Sequence, residues 1–198
     1  PKAKIPIYAP PVNTQEFADF CAEIARHVNI EKKYNIKYWE FWNEPSGGYF
    51  WSTWKQDSKP FFELYAATAK AVKKVDPSIM FGGFGDNAYY QSNYQIFYEY
   101  CKKHNIPVDF ISIHWYGEWD KDGPRHPEWF STLADKTEAM YKKYFTRKVP
   151  IFYTEWNLIG ESKGKYSAAQ TAAYIGTALY WMQRNPKISG AMLFRVEH

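Results

Sequence analysis

The chain has 198 residues, 45% of them hydrophobic, and its 25 Lys and Arg against 21 Asp and Glu give a formal net charge of +4. This length suits a single domain, residues 1–198, with a sizeable core. No apolar run reaches the ~18 residues of a membrane span, and the lysine pairs fall near predicted helix ends, where cations suit the helix dipole. We therefore expect no membrane and no nucleic-acid partner.

The aromatic content is high, because Phe, Trp and Tyr make up 20% of the chain, including 9 Trp and 17 Tyr. Flat amphipathic rings can pack in a core or hold the faces of sugars, and composition alone leaves both uses open. Cys21 and Cys101 are the only cysteines, and each lies in an apolar helical pattern. Two cysteines do not form a disulfide framework, so we expect buried free thiols.

Hydrophobic periodicity predicts helices that alternate with strands. After a proline-rich entry segment, Asn13 is predicted to cap a first helix that ends near Lys33. Further helices are predicted over 60–75, 92–104, 127–145 and 168–184, the last with a capping box at Ser167 and Gln170. Strands are predicted over 38–43, 78–81, 108–114, 149–155 and 188–194.

This alternation predicts a parallel sheet with right-handed crossovers. Prolines mark the beginnings of the predicted strands, whereas the other ends carry chemically active residues: Glu44, Asp86, His114, Tyr116, Glu155, Asn157 and Glu197. Chemistry at the carboxyl ends of the strands is typical of an α/β fold of the (β/α)8 barrel type. A doubly wound open sheet is the alternative, although Gly82–Gly85 lacks the spacing of a dinucleotide fingerprint.

Two strands of similar design end in a carboxylate beside aromatic residues. The first, Tyr38 to Asn43, leads to Glu44, and the second leads to Glu155. Pro45 disfavours helical geometry in the residue before it, so we expect Glu44 to be extended and to close its strand. Two carboxylates at one edge of a sheet are what glycoside hydrolysis requires.

The motif Trp39–Pro45, taken with Tyr153–Asn157, resembles the clan A glycoside hydrolases and is most similar to family 39, which includes β-xylosidases and α-L-iduronidases. The likeness extends over most of the chain. It implies a (β/α)8 TIM barrel in which Glu44 closes strand four and Glu155 closes strand seven. The chain would then hold strands four to eight and lack the first two or three. Five strands leave two apolar edges, so we expect the missing barrel segment or a second chain to cover them.

The resemblance also implies a retaining mechanism, with Glu44 as acid/base and Glu155 as nucleophile, and carboxyl groups ~5–5.5 Å apart. Asn43 would donate to the sugar 2-hydroxyl, and His114 or Tyr116 would contact the nucleophile or the sugar. Sugar platforms are expected at Trp51, Trp115, Trp119 and Trp156, with Asn157 at the rim of the site. We expect Glu40 to be structural.

No cofactor is expected, and no metal, because the histidines lack the spacing of a ligand motif. The sequence therefore predicts a retaining glycoside hydrolase that cleaves O-glycosidic bonds in a polysaccharide or oligosaccharide. Two alternatives stay open. One is a non-catalytic carbohydrate-binding fragment of such a barrel, and the other is a structural module in which both glutamates only end strands.

Overall fold

The computed structural model describes residues 9–117, 123–158 and 166–194. Its helices are α1 (Thr14–Ala25), α2 (Lys59–Val75), α3 (Gln91–Lys103), α4 (Trp129–Lys142) and α5 (Ala168–Arg184). Its strands are β1 (Tyr38–Glu40), β2 (Met80–Gly82), β3 (Asp86–Asn87), β4 (Ile111–Tyr116), β5 (Ile151–Asn157) and β6 (Ile188–Leu193). The predicted alternation is confirmed. Within the described ranges, no helix has the length and apolar character needed to cross a bilayer.

Every strand pair is parallel, with β1 beside β2 and a second sheet in the order β3-β4-β5-β6. The two sheets are joined before β4, where the Asp109 N–H donates to the Phe81 carbonyl at 2.9 Å. The predicted second strand, 78–81, corresponds to β2, and β3 is a further short strand that follows Gly83–Gly85. All carboxyl ends lie at one edge, which is the arrangement of a (β/α)8 barrel segment.

The sheet is rolled, because side chains of non-adjacent strands meet across its concave face. The Thr154 hydroxyl on β5 donates to Glu40 Oε1 on β1 at 2.8 Å. One layer below, the ring centroids of Tyr38 and Phe152 are 4.9 Å apart. Glu40 therefore has the structural partner that its inward position requires.

Most of the aromatic excess packs between α2, α3 and the sheet. Phe61 is fully buried and contacts four other aromatic rings at centroid distances of 5.1–5.9 Å, namely Phe41, Trp51, Trp54 and Phe84. Such pairs add roughly 0.5–1.5 kcal/mol each beyond the burial of their area. The aromatic content is thus mainly a property of the core.

Both predicted helix caps are confirmed. The Asn13 side chain accepts from the N–H groups of Gln15 and Glu16, at 2.9 and 3.1 Å. Ser167 and Gln170 form the reciprocal capping box at the start of α5. The first helix ends earlier than expected, because residues Arg26–Glu31 form a π-helical turn.

The two cysteines differ in burial. Cys101 is fully buried, as predicted, whereas Cys21 is only half-buried. Removal from water raises the pKa of both thiols. Neither is therefore activated as a nucleophile, because reactivity requires the thiolate.

Asp109 joins the amino ends of β2 and β4. Its carboxylate binds Lys73 Nζ at 2.6 Å, accepts from the Phe81 N–H at 3.0 Å, and also pairs with Arg147. Burial alone would raise the pKa of Asp109, but the hydrogen bonds from Lys73, Arg147 and Phe81 outweigh it and hold the pKa below its ordinary value. This carboxylate stabilises the fold in its ionised form.

Replacing this carboxylate should destabilise the protein. We expect Asp109→Asn to cost about 3 kcal/mol, because it leaves two cations and a buried N–H without their charged acceptor. The stabilisation by the ionised carboxylate is present above the unfolded pKa of ~3.9 and is lost as pH falls through the lower folded pKa. The difference in unfolding free energy between the variant and the unaltered protein should therefore shrink toward about pH 3. Urea unfolding at about pH 7 and about pH 3 measures both effects.

The matched control is Asp135→Asn. Asp135 pairs with Lys187 at 2.8 Å, but its side chain is 50% exposed, so we expect a loss of about 0–1 kcal/mol. Equal losses of unfolding free energy in the two variants would contradict the assignment of Asp109 as the main ionic contact at the amino ends of β2 and β4.

Candidate active site

Two carboxylates meet one imidazole at the carboxyl ends of β1, β4 and β5. His114 Nδ1 lies 2.8 Å from Glu44 Oε1 and 3.7 Å from Glu155 Oε2. One ligand atom from each of the three side chains lies within 4.8 Å of the other two. The structure therefore brings together Glu44, His114 and Glu155, which lie far apart in the sequence.

The distance between the carboxylates is chemically informative. Retaining glycosidases hold their two carboxyl groups ~5–5.5 Å apart, whereas inverting enzymes hold them ~6.5–9.5 Å apart to admit a water. An oxygen–oxygen separation of at most 4.8 Å corresponds to the shorter class. The arrangement suits direct attack on a bound sugar better than attack by an interposed water.

The backbone at Glu44 differs from the prediction. Glu44 is not extended but left-handed, with φ 39° and ψ 54°, and Trp42 is also left-handed with φ 68°. Neighbouring contacts hold this geometry, since the Glu44 N–H donates to the Gly85 carbonyl at 3.0 Å and Trp42 Nε1 donates to the Phe50 carbonyl at 2.8 Å. Such residues store roughly 1–3 kcal/mol of strain each, typically at functional sites.

Asp86 has a structural role that the sequence did not reveal. It is 1% exposed, and its carboxylate accepts from Ser46 Oγ at 2.8 Å and from Asn93 Nδ2 at 3.0 Å. Burial raises the pKa of Asp86, against the effect of these hydrogen bonds. The contact ties the loop after Glu44 to β3 and α3. Its position at a strand end was visible in the sequence, but its partners were not.

The predicted polar neighbours divide into two groups. The Tyr116 hydroxyl donates to Glu155 Oε1, and the buried His114 contacts Glu44 most closely, so both lie at the carboxylate pair. Asn43 is half-buried, and its side chain has no hydrogen-bond partner among the described residues.

Asn157 does not lie at the carboxylate pair. Its side-chain amide donates to the Phe194 carbonyl at 2.9 Å and accepts from the Leu158 N–H at 2.7 Å. A rim position for Asn157 is therefore contradicted, since this buried amide joins β5 to β6.

The predicted tryptophan platforms are mostly core residues. Trp51 is 1% exposed and packs edge-to-face with Trp42 and Phe61, and Trp156 is 1% exposed against Phe130. Enclosed rings cannot stack on a sugar, so the structure contradicts this role for Trp51 and Trp156. Trp156 faces the helices because it alternates with inward-facing residues of β5, whereas Trp51 lies in the loop between β1 and α2.

Trp115 is also fully buried, although it lines a surface pocket beneath Tyr89. The structure therefore contradicts the predicted role of Trp115 as an exposed sugar platform. Trp119 and Glu197 lie outside the described residues.

The same three side chains form the kind of group that can ligate a metal ion, which the spacing of the histidines did not predict. Two carboxylate oxygens and an imidazole nitrogen suit several divalent cations. A cation there would occupy the lone pairs that acid/base and nucleophilic chemistry needs. Two carboxylates at this separation, at the mouth of a barrel segment, have the arrangement that retaining glycosidases use.

Comparison with known proteins gives the family. The model of glycosyl hydrolases family 39 matches residues 7–195. A beta-xylosidase of Caldicellulosiruptor saccharolyticus is 31% identical over 167 residues, covering 75% of this chain and 31% of that protein. One of Geobacillus stearothermophilus is 31% identical over 188 residues, covering 86% and 36%. The chain belongs to glycosyl hydrolase family 39, and it spans about a third of the length of these relatives.

Solved structures agree with the fold. A glucosidase from Croceicoccus marinus superposes with a TM-score of 0.83 at 27% identity, covering 96% of this chain and 39% of that one. A monomeric beta-xylosidase from Caulobacter crescentus CB15 gives 0.73 at 23% identity, covering 94% and 40%. The predicted fold class, an α/β chain that forms part of a (β/α)8 barrel, is confirmed.

Proposed function

We propose that this chain carries the catalytic centre of a retaining glycoside hydrolase that cleaves O-glycosidic bonds in an oligosaccharide or polysaccharide. The observation that supports this most strongly is the approach of Glu44 and Glu155 to within 4.8 Å beside one imidazole. Family membership adds the reaction class, which is the hydrolysis of glycosidic bonds.

In the first step, Glu44 donates its proton to the glycosidic oxygen while Glu155 attacks the anomeric carbon. The bond to the leaving alcohol breaks as a glycosyl ester forms on Glu155. In the second step, Glu44 takes a proton from water, which attacks the same carbon and releases Glu155. Two displacements at one carbon retain its configuration.

The surrounding side chains have positioning roles in this proposal. The Tyr116 hydroxyl fixes one oxygen of Glu155, and His114 orients Glu44 through the 2.8 Å contact. The Asn43 amide would donate to the sugar 2-hydroxyl, an interaction that strengthens in the transition state. No cofactor is needed for this chemistry.

The first substrate class to test is the β-xyloside, because two relatives at 31% identity carry the name beta-xylosidase. One of the superposed structures is a glucosidase, so glucosides form the second arm. Incubation with 2-fluoro-xylosyl and 2-fluoro-glucosyl fluorides, followed by peptide mass spectrometry, should find a glycosyl adduct on Glu155. An adduct on another residue, or none with a panel of sugars, would refute the proposal.

We further propose that a complementary barrel segment or a second chain covers the open edges of this sheet. Large apolar side chains are exposed there on β1, β6 and the outer helices: Tyr38 at 40%, Met192 at 51%, Phe20 at 62% and Leu179 at 47%. Exposed strand edges and apolar patches favour association. Sedimentation over a concentration series tests this, and a compact monomer throughout, with these side chains shielded from radical labelling, would contradict it.

A further inference from the structure

One buried carboxylate near the candidate site takes no part in the reaction steps proposed above. Asp86 on β3 is 1% exposed. Its carboxylate accepts from three neutral donors: Ser46 Oγ at 2.8 Å, the Asn87 N–H at 2.9 Å and Asn93 Nδ2 at 3.0 Å. We propose that Asp86 is a positioning residue, which holds the Glu44 carboxyl group where it can protonate the leaving oxygen. This inference rests on the proposed hydrolase function and deepens it.

Two consecutive residues hold the chain on both sides of Glu44. On one side, the Glu44 N–H donates to the Gly85 carbonyl at 3.0 Å. On the other side, Ser46 donates to Asp86 from the single 3₁₀ turn Pro45–Gly47, which directly follows Glu44. Glu44 has a left-handed backbone with φ 39°, and a non-glycine residue keeps this conformation only where its surroundings enforce it. Gly85 and Asp86 supply two of the contacts that do so.

Asp86 is itself fixed to the core. Its backbone carbonyl accepts from the Tyr94 hydroxyl at 2.6 Å, and Tyr94 is 1% exposed on α3. The register of β3 and β4 pairs Asp86 with Ile113, the residue before His114. The residue that supports the Glu44 loop and the imidazole that contacts Glu44 therefore lie on two paired strands, so their relative position is set before a substrate binds.

The proposed nucleophile has a separate support. Glu155 lies on β5, and the hydroxyl that donates to its Oε1 belongs to Tyr116 on β4. None of the three hydrogen bonds of the Asp86 carboxylate involves this pair. Loss of Asp86 should therefore disturb proton donation by Glu44 more than attack by Glu155 on the anomeric carbon.

The test compares two substrates that share a glycone but differ in their need for a proton. One is an oligosaccharide, whose alcohol must be protonated as it departs, and the other is the dinitrophenyl glycoside, whose leaving group departs without a proton. A misplacement of about 1 Å can cost about 10²-fold in rate. We expect Asp86→Ala to lower the ratio of kcat/KM for the oligosaccharide to that for the dinitrophenyl glycoside about tenfold. A merely structural residue would lower both values alike and leave this ratio unchanged.

Ser46→Ala keeps the test decisive if the loss of a buried carboxylate impairs folding. This variant removes only the hydroxyl that links the loop after Glu44 to Asp86, and we expect it to lower the ratio about fivefold. Ser46→Thr keeps a hydroxyl and should restore most of the ratio. Adding Ser46→Ala to Asp86→Ala should change the ratio little further, because both substitutions break the same contact.

Ser78→Ala is the matched control, because Ser78 makes the same kind of contact before the amino end of β2. Its hydroxyl donates to Asp76 at 2.6 Å, and Asp76 also accepts from the Asn29 amide at 2.8 Å. The ratio should be unchanged in that variant. A ratio within about twofold of the unaltered protein in Ser46→Ala, with the dinitrophenyl glycoside still hydrolysed, would overturn the positioning role alone. Failure of the unaltered chain to hydrolyse either substrate would overturn the hydrolase proposal and the positioning role together.

Discussion

Glu155→Ala should lose glycoside turnover by on the order of 10⁴-fold or more, since no other described group is placed to form the covalent intermediate. The neighbouring Tyr116 hydroxyl donates to Glu155 Oε1, and this contact is lost with the carboxylate. Initial rates with an aryl glycoside that has a good leaving group measure the effect. Such a substrate removes the dependence of the first step on the general acid.

A small external nucleophile separates this loss from misfolding. The cavity left by the alanine should admit azide, which would attack the anomeric carbon once and give a glycosyl azide of inverted configuration. Glu128→Ala is the control, because the Glu128 side chain is 54% exposed and its carboxylate lies 3.9 Å from the His126 imidazole. Full activity in Glu155→Ala would remove the carboxylate pair as the basis of the mechanism.

Glu44→Gln should show a loss that depends on the leaving group. We expect a decrease of about 10²–10⁴-fold with an oligosaccharide, whose alcohol needs a proton to depart. With a dinitrophenyl glycoside the first step should be far less affected. Measuring kcat/KM across a series of leaving groups therefore gives a steep dependence in the variant and a shallow one in the unaltered protein.

The product of azide rescue distinguishes the two glutamates. In Glu44→Ala, azide should replace water in the second displacement and give a glycosyl azide of retained configuration. An equal loss across all leaving groups, or an inverted azide product, would assign Glu44 a different role. The comparison with Glu155→Ala thus tests each carboxylate against the other.

Much of the fold follows from local sequence signals. The helix periods, the Asn13 and Ser167 caps and the strands are encoded within short windows, and the structure contains them. The short strand β3 was missed, because it depends on how the residues after Gly83–Gly85 pair with β4. A Cβ at Gly85 would lie within 3 Å of both Glu40 and His114, a constraint that no local pattern contains.

The candidate site was likewise predicted only in part, because local signals give the strand ends but not the contacts between distant residues. Residues at strand ends could be assigned to one edge, so Glu44, His114, Tyr116 and Glu155 were found. The position of a residue in the alternation of a strand decides whether its ring faces the barrel interior or the helices. The tryptophans were predicted as sugar platforms from their residue type alone. Trp156 therefore lies in the core. Tyr89 and Tyr90, which lie in a turn without a recognised motif, line a surface pocket.

The left-handed backbone at Glu44 has a consequence for how such an enzyme could be altered. The proposed proton donor, Glu44, donates its N–H to the Gly85 carbonyl, and the loop that follows it is bound through Ser46 to the carboxylate of Asp86. Substitution of Asp86 would remove this support while both carboxylates stay chemically intact. Libraries aimed at new aglycones should therefore vary Asp86 and Asn87 first, and leave the proposed catalytic motif and the closely packed Gly83 and Gly85 unchanged.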